Sequence, residues 1–71
     1  MSIGENIRDK RVQAGMTETA LAGAVGVTVA AISQFESNMR IPNAYTFADI
    51  AKALGVTMDE LMYKKMKGVK Q

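Results

Sequence analysis

The side chains that most often perform catalysis or bind metals are missing from this 71-residue chain, which has no histidine and no cysteine. Catalysis would therefore need a carboxylate pair, or a serine, threonine or lysine activated in a pocket. The adjacent carboxylates of Asp59 and Glu60 are better explained as charges at a helix N-terminus. The stretch GVTVAA lacks the lysine and the spacing of a phosphate-binding loop. We expect no enzyme activity, no metal and no cofactor.

The basic residues are distributed unevenly along the chain. Residues 1–63 contain five basic and seven acidic side chains, whereas the last eight residues contain four lysines and no acidic side chain. The body thus carries −2 and the tail +4, which together make the formal net charge of +2. We expect one domain at residues 1–63, followed by a basic, mobile tail at residues 64–71.

The apolar residues do not indicate a membrane protein. The stretch ALAGAVGV is too short and too rich in glycine to cross a bilayer. The first residues, MSIGENIRDKR, lack the apolar run of a signal peptide. We therefore expect a cytoplasmic protein without a membrane partner.

Helix-capping residues divide the chain into five segments. Each segment begins at a residue that can cap a helix, namely Ser2, Thr17, Thr28, Asn43 and Thr57. Glycines suited to helix ends follow at Gly15, Gly26 and Gly55. Apolar residues at helical spacing form the inner face, with Ile3, Ile7, Leu21, Ala22, Val25, Ile32, Phe35, Phe47, Ile50, Ala51, Leu54, Leu61 and Met62, and with Met58 as a further candidate on the fifth helix. The pattern predicts a compact, all-α domain of five helices.

Residues 18–36 contain the pattern of two helices crossing at a tight turn. Ala22 is small where the second helix would pass closely, and Gly26 follows four residues later, where a positive φ reverses the chain. Apolar partners occupy the offsets that fasten the two helices together, at Leu21, Val25, Val27, Ile32 and Phe35. This combination is typical of a helix-turn-helix motif formed by helices 2 and 3.

From about Ile3 to Met62 the chain resembles the phage repressor and Cro type of helix-turn-helix domain, the XRE family. The resemblance is carried by the phrases IGENIRDKRVQAGM, ISQFES and IAKALGVTMDELM. It implies a five-helix repressor-like fold that binds operator-type double-stranded DNA, usually as a dimer, with the third helix in the major groove.

The base-facing residues implied by this resemblance lie on the third helix. If Thr28 caps it, Val29, Ala30 and Gln34 face the bases and Ser33 faces outward beside them. Family members often carry glutamine, serine or threonine on the displayed first turn of this helix, where this chain has Val29, Ala30 and Ala31. Small apolar side chains can contact thymine methyl groups, and Gln34 can pair with adenine. The other explanation is that the alanines only favour the helix.

Contacts with the DNA backbone require short polar side chains, cations and helix N-termini. The residues that meet this description are Thr17, Thr28, Ser33, Asn38, Arg40 and Asn43. The family usually opens its second helix with glutamine, whereas this chain has Glu18, which suits the helix dipole but repels phosphate.

Arg11 and Glu36 match an ion pair that is common in this family. The arginine lies late in the first helix, and the glutamate ends the third. We expect the pair to orient the third helix, and the alternative is two unrelated surface charges.

The sequence therefore predicts a sequence-specific transcriptional regulator of the phage or mobile-element repressor type, with no small-molecule ligand. A homodimer is one further expectation, because Val56, Met58, Met62 and Tyr63 are apolar candidates for an interface, although they can equally complete the core. The alternative function is a protein–protein interaction module with weak or no specific DNA binding, which Glu18 and the aliphatic first turn favour.

Overall fold

Five helices make up the part of the chain that the computed structural model describes, residues 2–63. They are α1 (Ile3–Gln13), α2 (Glu18–Val25), α3 (Val29–Glu36), α4 (Ala44–Leu54) and α5 (Met58–Met62). No strand occurs in this range, so the all-α prediction is confirmed. The predicted basic tail, residues 64–71, lies outside the described residues.

Each helix begins at the residue predicted to cap it. The side chains of Ser2, Thr17, Thr28, Asn43 and Thr57 each accept a hydrogen bond from the backbone N–H three residues ahead. Thr57 and Glu60 form a reciprocal capping box. Gly26 and Gly55 end α2 and α4 in the left-handed conformation, with φ of 81° and 71°. Local hydrogen bonds thus set the helix boundaries.

The core combines residues from all five helices. Its fully or nearly buried apolar side chains are Ile7, Leu21, Ala22, Ala31, Ile32, Phe35, Phe47, Ile50, Ala51, Leu54 and Leu61. Ile3, Val25, Val27 and Val56 pack against this cluster at its edges. The predicted inner faces of α2 to α4 are therefore confirmed.

Two predictions about individual side chains are wrong. Ala31, expected on the displayed first turn of α3, is buried, because it lies one helical turn before Phe35 on the inner face. Met62, expected on the inner face of α5, is 43% exposed. Leu61 alone fills the core position at the end of that short helix.

α2 and α3 form the helix-turn-helix. The chain bends by 111° between them, within the usual range for this motif. Ala22, whose carbonyl accepts from both Gly26 and Val27, anchors the turn that the glycine makes possible. No single helix in residues 2–63 is long and apolar enough to cross a membrane.

α1 packs between α5 and α3, the second helix of the motif. The buried amide of Asn6 donates to the carbonyl of Leu61 at 2.8 Å, so that α1 is joined to α5. Lys10 and Glu60 lie on the same two helices with 3.9 Å between Nζ and Oε2. α1 also packs against α3 and α4, so it contacts both the helix-turn-helix and the C-terminal helices of the domain.

Candidate nucleic-acid interface

The outer face of α3 is open to solvent along most of its length. Val29, Ala30 and Ser33 are exposed, and Gln34 is half-buried. Ile32 and Phe35 hold the opposite face of the helix in the core. The structure therefore displays the three predicted base-facing residues, Val29, Ala30 and Gln34, on the accessible side of one helix.

The predicted backbone contacts Thr17, Thr28 and Asn43 are all N-cap residues and are all exposed. Each uses its side-chain oxygen to accept from a backbone N–H, namely that of Ala20, Ala31 or Thr46. The two threonine hydroxyls and the Asn43 amide can still donate, because these bonds occupy only acceptor positions. Three helix N-termini are thus capped by groups that can face an anion.

Arg40 lies against the end of α3. Its Nη1 donates to Oε1 of Gln34 at 3.4 Å, and its guanidinium sits 5.6 Å from the centre of the Phe35 ring. The structure thus brings together Gln34, predicted to face a base, and Arg40, predicted to contact phosphate.

Asn38 uses both ends of its side chain to fasten α3 to α1. Its Oδ1 accepts from the backbone N–H of Gly4 at 3.1 Å, and its Nδ2 donates to Oγ of Ser2 at 2.9 Å. It also has a φ of 65°, the left-handed conformation that asparagine tolerates better than most residues. Predicted only as a phosphate contact, Asn38 has a structural role that the sequence did not reveal.

Gly4 is the other residue that sequence reasoning missed. A Cβ at this position would lie 2.6 Å from the carbonyl oxygen of Glu36, 2.8 Å from Oδ1 of Asn38, and against the carbonyl of Phe35. The N-terminal turn of α1 therefore approaches the end of α3 more closely than any side chain permits. A glycine inside a helix, three residues before the buried Ile7, was the one available signal.

Arg11 and Glu36 form a bidentate pair between α1 and α3. The Nε–Oε2 distance is 2.6 Å and the Nη2–Oε1 distance is 3.1 Å. Nη1 of the same guanidinium donates to the carbonyl of Met16 at 2.9 Å, in the connection between α1 and α2. One side chain therefore joins α1 and α3 to the start of the helix-turn-helix.

The carboxylate of Glu36 raises the pKa of Arg11 by its hydrogen bond, partial burial lowers it, and the charges of Glu36 and Glu18 raise it further. Among residues 2–63, no group of three or more acidic side chains could hold a metal ion.

The fold and this surface together define the class of protein. α2 and α3 meet at a glycine turn, the outer face of α3 is exposed, and α1 and α4 pack against the two helices. A model of the helix-turn-helix family matches residues 7–61. The chain belongs to this family, and specifically to the phage repressor and Cro type, the XRE helix-turn-helix proteins.

The chain is similar to a repressor of known structure and to curated transcriptional regulators. The P22 c2 repressor, solved in complex with a synthetic operator, superposes with a TM-score of 0.86 at 34% identity, over 92% of this chain and 98% of that one. The HTH-type transcriptional regulator YazB of Bacillus subtilis is 34% identical over 58 residues, 82% of this chain and 84% of YazB.

The HTH-type transcriptional repressor RghR of Bacillus subtilis is 38% identical over 64 residues. These make up 89% of this chain but 47% of RghR. The chain therefore corresponds to nearly all of YazB and to about half of RghR.

Proposed function

We propose that this protein is a DNA-binding transcriptional regulator of the repressor type that places α3 in the major groove of double-stranded DNA. The observation that carries the proposal is the exposed face of α3, on which Val29, Ala30 and Gln34 stand together. The similarity to a repressor solved with its operator supports the same function. The activity proposed is binding, not catalysis.

Base recognition would combine one amide with two small apolar side chains. Gln34 can hydrogen-bond the major-groove edge of a base, and Val29 and Ala30 can contact thymine methyl groups. Small side chains on the first turn also let the helix backbone approach the bases closely. Recognition by shape and methyl contact therefore fits the aliphatic first turn better than a set of hydrogen bonds does.

Phosphate contacts would come from the edges of this surface. Thr17 caps α2 and Asn43 caps α4. Thr28, Ser33 and Arg40 lie on or beside α3. Their hydroxyl, amide and guanidinium donors suit phosphate oxygens and would set the register of α3 in the groove.

Selection of bound sequences from a random DNA pool tests the proposal, with wild type compared against Gln34→Ala. Wild type should enrich a defined site, and the variant should lose discrimination at one base pair by about 1–3 kcal/mol. Gln13→Ala is the matched control, since Gln13 is an exposed glutamine at the end of α1. A pool that remains random after selection with wild type would exclude sequence-specific binding.

We also propose that two copies bind together. The body has few cations, so one subunit would gain little from counterion release, and useful affinity would need two half-sites or help from the lysines of residues 64–71. Met58, Met62 and Tyr63 offer exposed apolar surface near the end of the described chain, whereas Val56 packs against the core. Sedimentation at rising concentration, with and without the selected site, should show two chains per site; one chain per duplex would contradict the dimer.

One observation favours a second candidate, a protein-interaction module. Met39, Ile41 and Tyr45, all within seven residues around the start of α4, are 75%, 76% and 85% exposed, and exposed apolar side chains grouped together are typical of an interaction surface. The DNA selection distinguishes the two functions, because an interaction module would enrich no sequence.

A further inference from the structure

We propose that Arg40 is a positioning residue for base recognition. It holds the side-chain amide of Gln34 so that Nε2 faces outward as a hydrogen-bond donor, with N7 of a purine as the atom it recognises. This inference rests on the proposed function and adds to it the orientation of one side chain and the chemistry of its target.

The backbone after α3 brings Arg40 to Gln34. The carbonyl of Gln34 accepts from the N–H of Met39 at 2.9 Å and from the N–H of Arg40 at 3.2 Å. The N–H of Asn38 donates to the carbonyl of Phe35 at 3.2 Å, which together with the Met39 bond forms a Schellman motif with Asn38 at its left-handed position. Arg40 is therefore placed beside Gln34 by hydrogen bonds of the main chain.

One further contact limits where the Arg40 side chain can go, and a second set of contacts holds the loop that carries it. The Phe35 ring lies under the guanidinium at 5.6 Å, a favourable position for a cation over an aromatic face. Asn38, which sets the direction of the loop, is fastened to Gly4 and Ser2 at the start of α1. The loop that carries Arg40 is thus tied to α1 as well as to α3.

The chemistry of arginine decides the orientation of the amide. A guanidinium has only donors, so the Gln34 atom that faces it at 3.4 Å must be the oxygen. The nitrogen, with its two hydrogens, then points away from Arg40. The major-groove acceptors are N7 of both purines, O6 of guanine and O4 of thymine. We assign N7 because both purines present it, and a preset donor matches it without reorientation. The remaining donors of Arg40 stay available for phosphate.

The test uses the full chain as wild type, Arg40→Ala, Gln34→Ala and the double variant, on the site selected by wild type. The base pair read by Gln34 is the one at which Gln34→Ala loses discrimination. Dissociation constants are then measured on that site and on the same site with its purine replaced by the 7-deaza analogue, which removes the N7 acceptor. Thermal unfolding shows that each variant folds.

Wild type should bind the 7-deaza site about tenfold more weakly, the effect of removing one good hydrogen bond to a base. In Arg40→Ala this ratio should fall to about threefold or less. The variant should also bind every sequence more weakly, but a uniform weakening cancels in the ratio. Gln34→Ala and the double variant should both show a ratio near one. Lys52→Ala is the matched control, because it removes an exposed cation from α4 and should leave the ratio unchanged.

An unchanged ratio in Arg40→Ala, with uniformly weaker binding, would overturn the inference and leave Arg40 as a phosphate contact. A wild-type ratio of one would also overturn it. Both results leave the proposed function intact, because wild type still selects a site. Failure of wild type to select any site would overturn the proposed function and this inference together.

Discussion

At the scale of single residues, Arg11 is a side chain that joins three parts of the fold. It bonds Glu36 through two nitrogens and the carbonyl of Met16 through the third. The side chains of Arg11 and Glu36 are only 13% and 6% exposed, so removing one leaves the other charge poorly solvated. The hydrogen bond from Arg11 to the Glu36 carboxylate raises the pKa of Arg11 in the folded protein. The stability linked to this shift is therefore fully present below the unfolded pKa of Arg11 and is lost as pH rises through its folded pKa.

We predict that Glu36→Gln and Arg11→Met each lower the free energy of unfolding by about 3–5 kcal/mol, because each strands a partly buried charge. The double variant should lose much less free energy of unfolding than the two single variants added together, because neither of its two side chains is charged. Denaturant unfolding of the four proteins measures the coupling. Additive losses would show that the two side chains act independently.

At the scale of elements, the approach of α1 to the end of α3 determines how the motif is held. Gly4 lies against the last carbonyls of α3, and Asn38 closes the contact with two hydrogen bonds. A Cβ at Gly4 would meet main-chain carbonyl oxygens, which cannot rotate away as a flexible side chain can, so α1 and α3 would have to move apart. The position of the exposed face of α3 therefore depends on a glycine on another helix.

We predict that Gly4→Ala destabilises the protein by about 1–3 kcal/mol or more, the usual cost of overpacking, because the added Cβ meets backbone. Gly23→Ala is the control, since Gly23 lies inside α2 with nothing within 4 Å of its Cβ position. It should stabilise by about 0.5–1 kcal/mol through helix propensity. Thermal unfolding compares the two variants, and equal shifts for both would refute the close approach.

At the scale of the whole molecule, most of the excess positive charge lies in a different segment of the chain from the surface proposed to recognise bases. The described body contains the α3 surface but has more acidic than basic side chains, while the four lysines at positions 64, 65, 67 and 70 make the net charge positive. Lysines contribute to DNA binding mainly by releasing counterions, which does not depend on base sequence. The lysines should therefore add affinity without adding selectivity.

We predict that changing these four lysines to glutamine weakens binding to every DNA alike. The dependence of log K on log salt should become shallower by up to about 0.9 for each phosphate that the variant no longer neutralises. The base preference measured by selection should stay the same. A changed preference would mean that the lysine segment takes part in base recognition.

The helix boundaries were predictable because capping is local. Thr17, Thr28 and Asn43 bond an N–H three residues away, so a short window of sequence contains both partners. The turn at Gly26 and the inner faces of α2 to α4 were predictable for the same reason, since helical periodicity repeats every three to four residues. The sequence by itself therefore determined the five helices, the helix-turn-helix and the face of α3 that carries Val29, Ala30 and Gln34.

Only the tertiary structure decided how that face is supported. Asn38 and Gly4 are 34 residues apart, and neither residue type reveals a contact between them. The placing of Arg40 on Gln34 likewise depends on where the returning loop lies. Local hydrogen bonds determine where the helices form. The close packing of one helix against another determines which side chains stay exposed on the surface proposed to bind DNA.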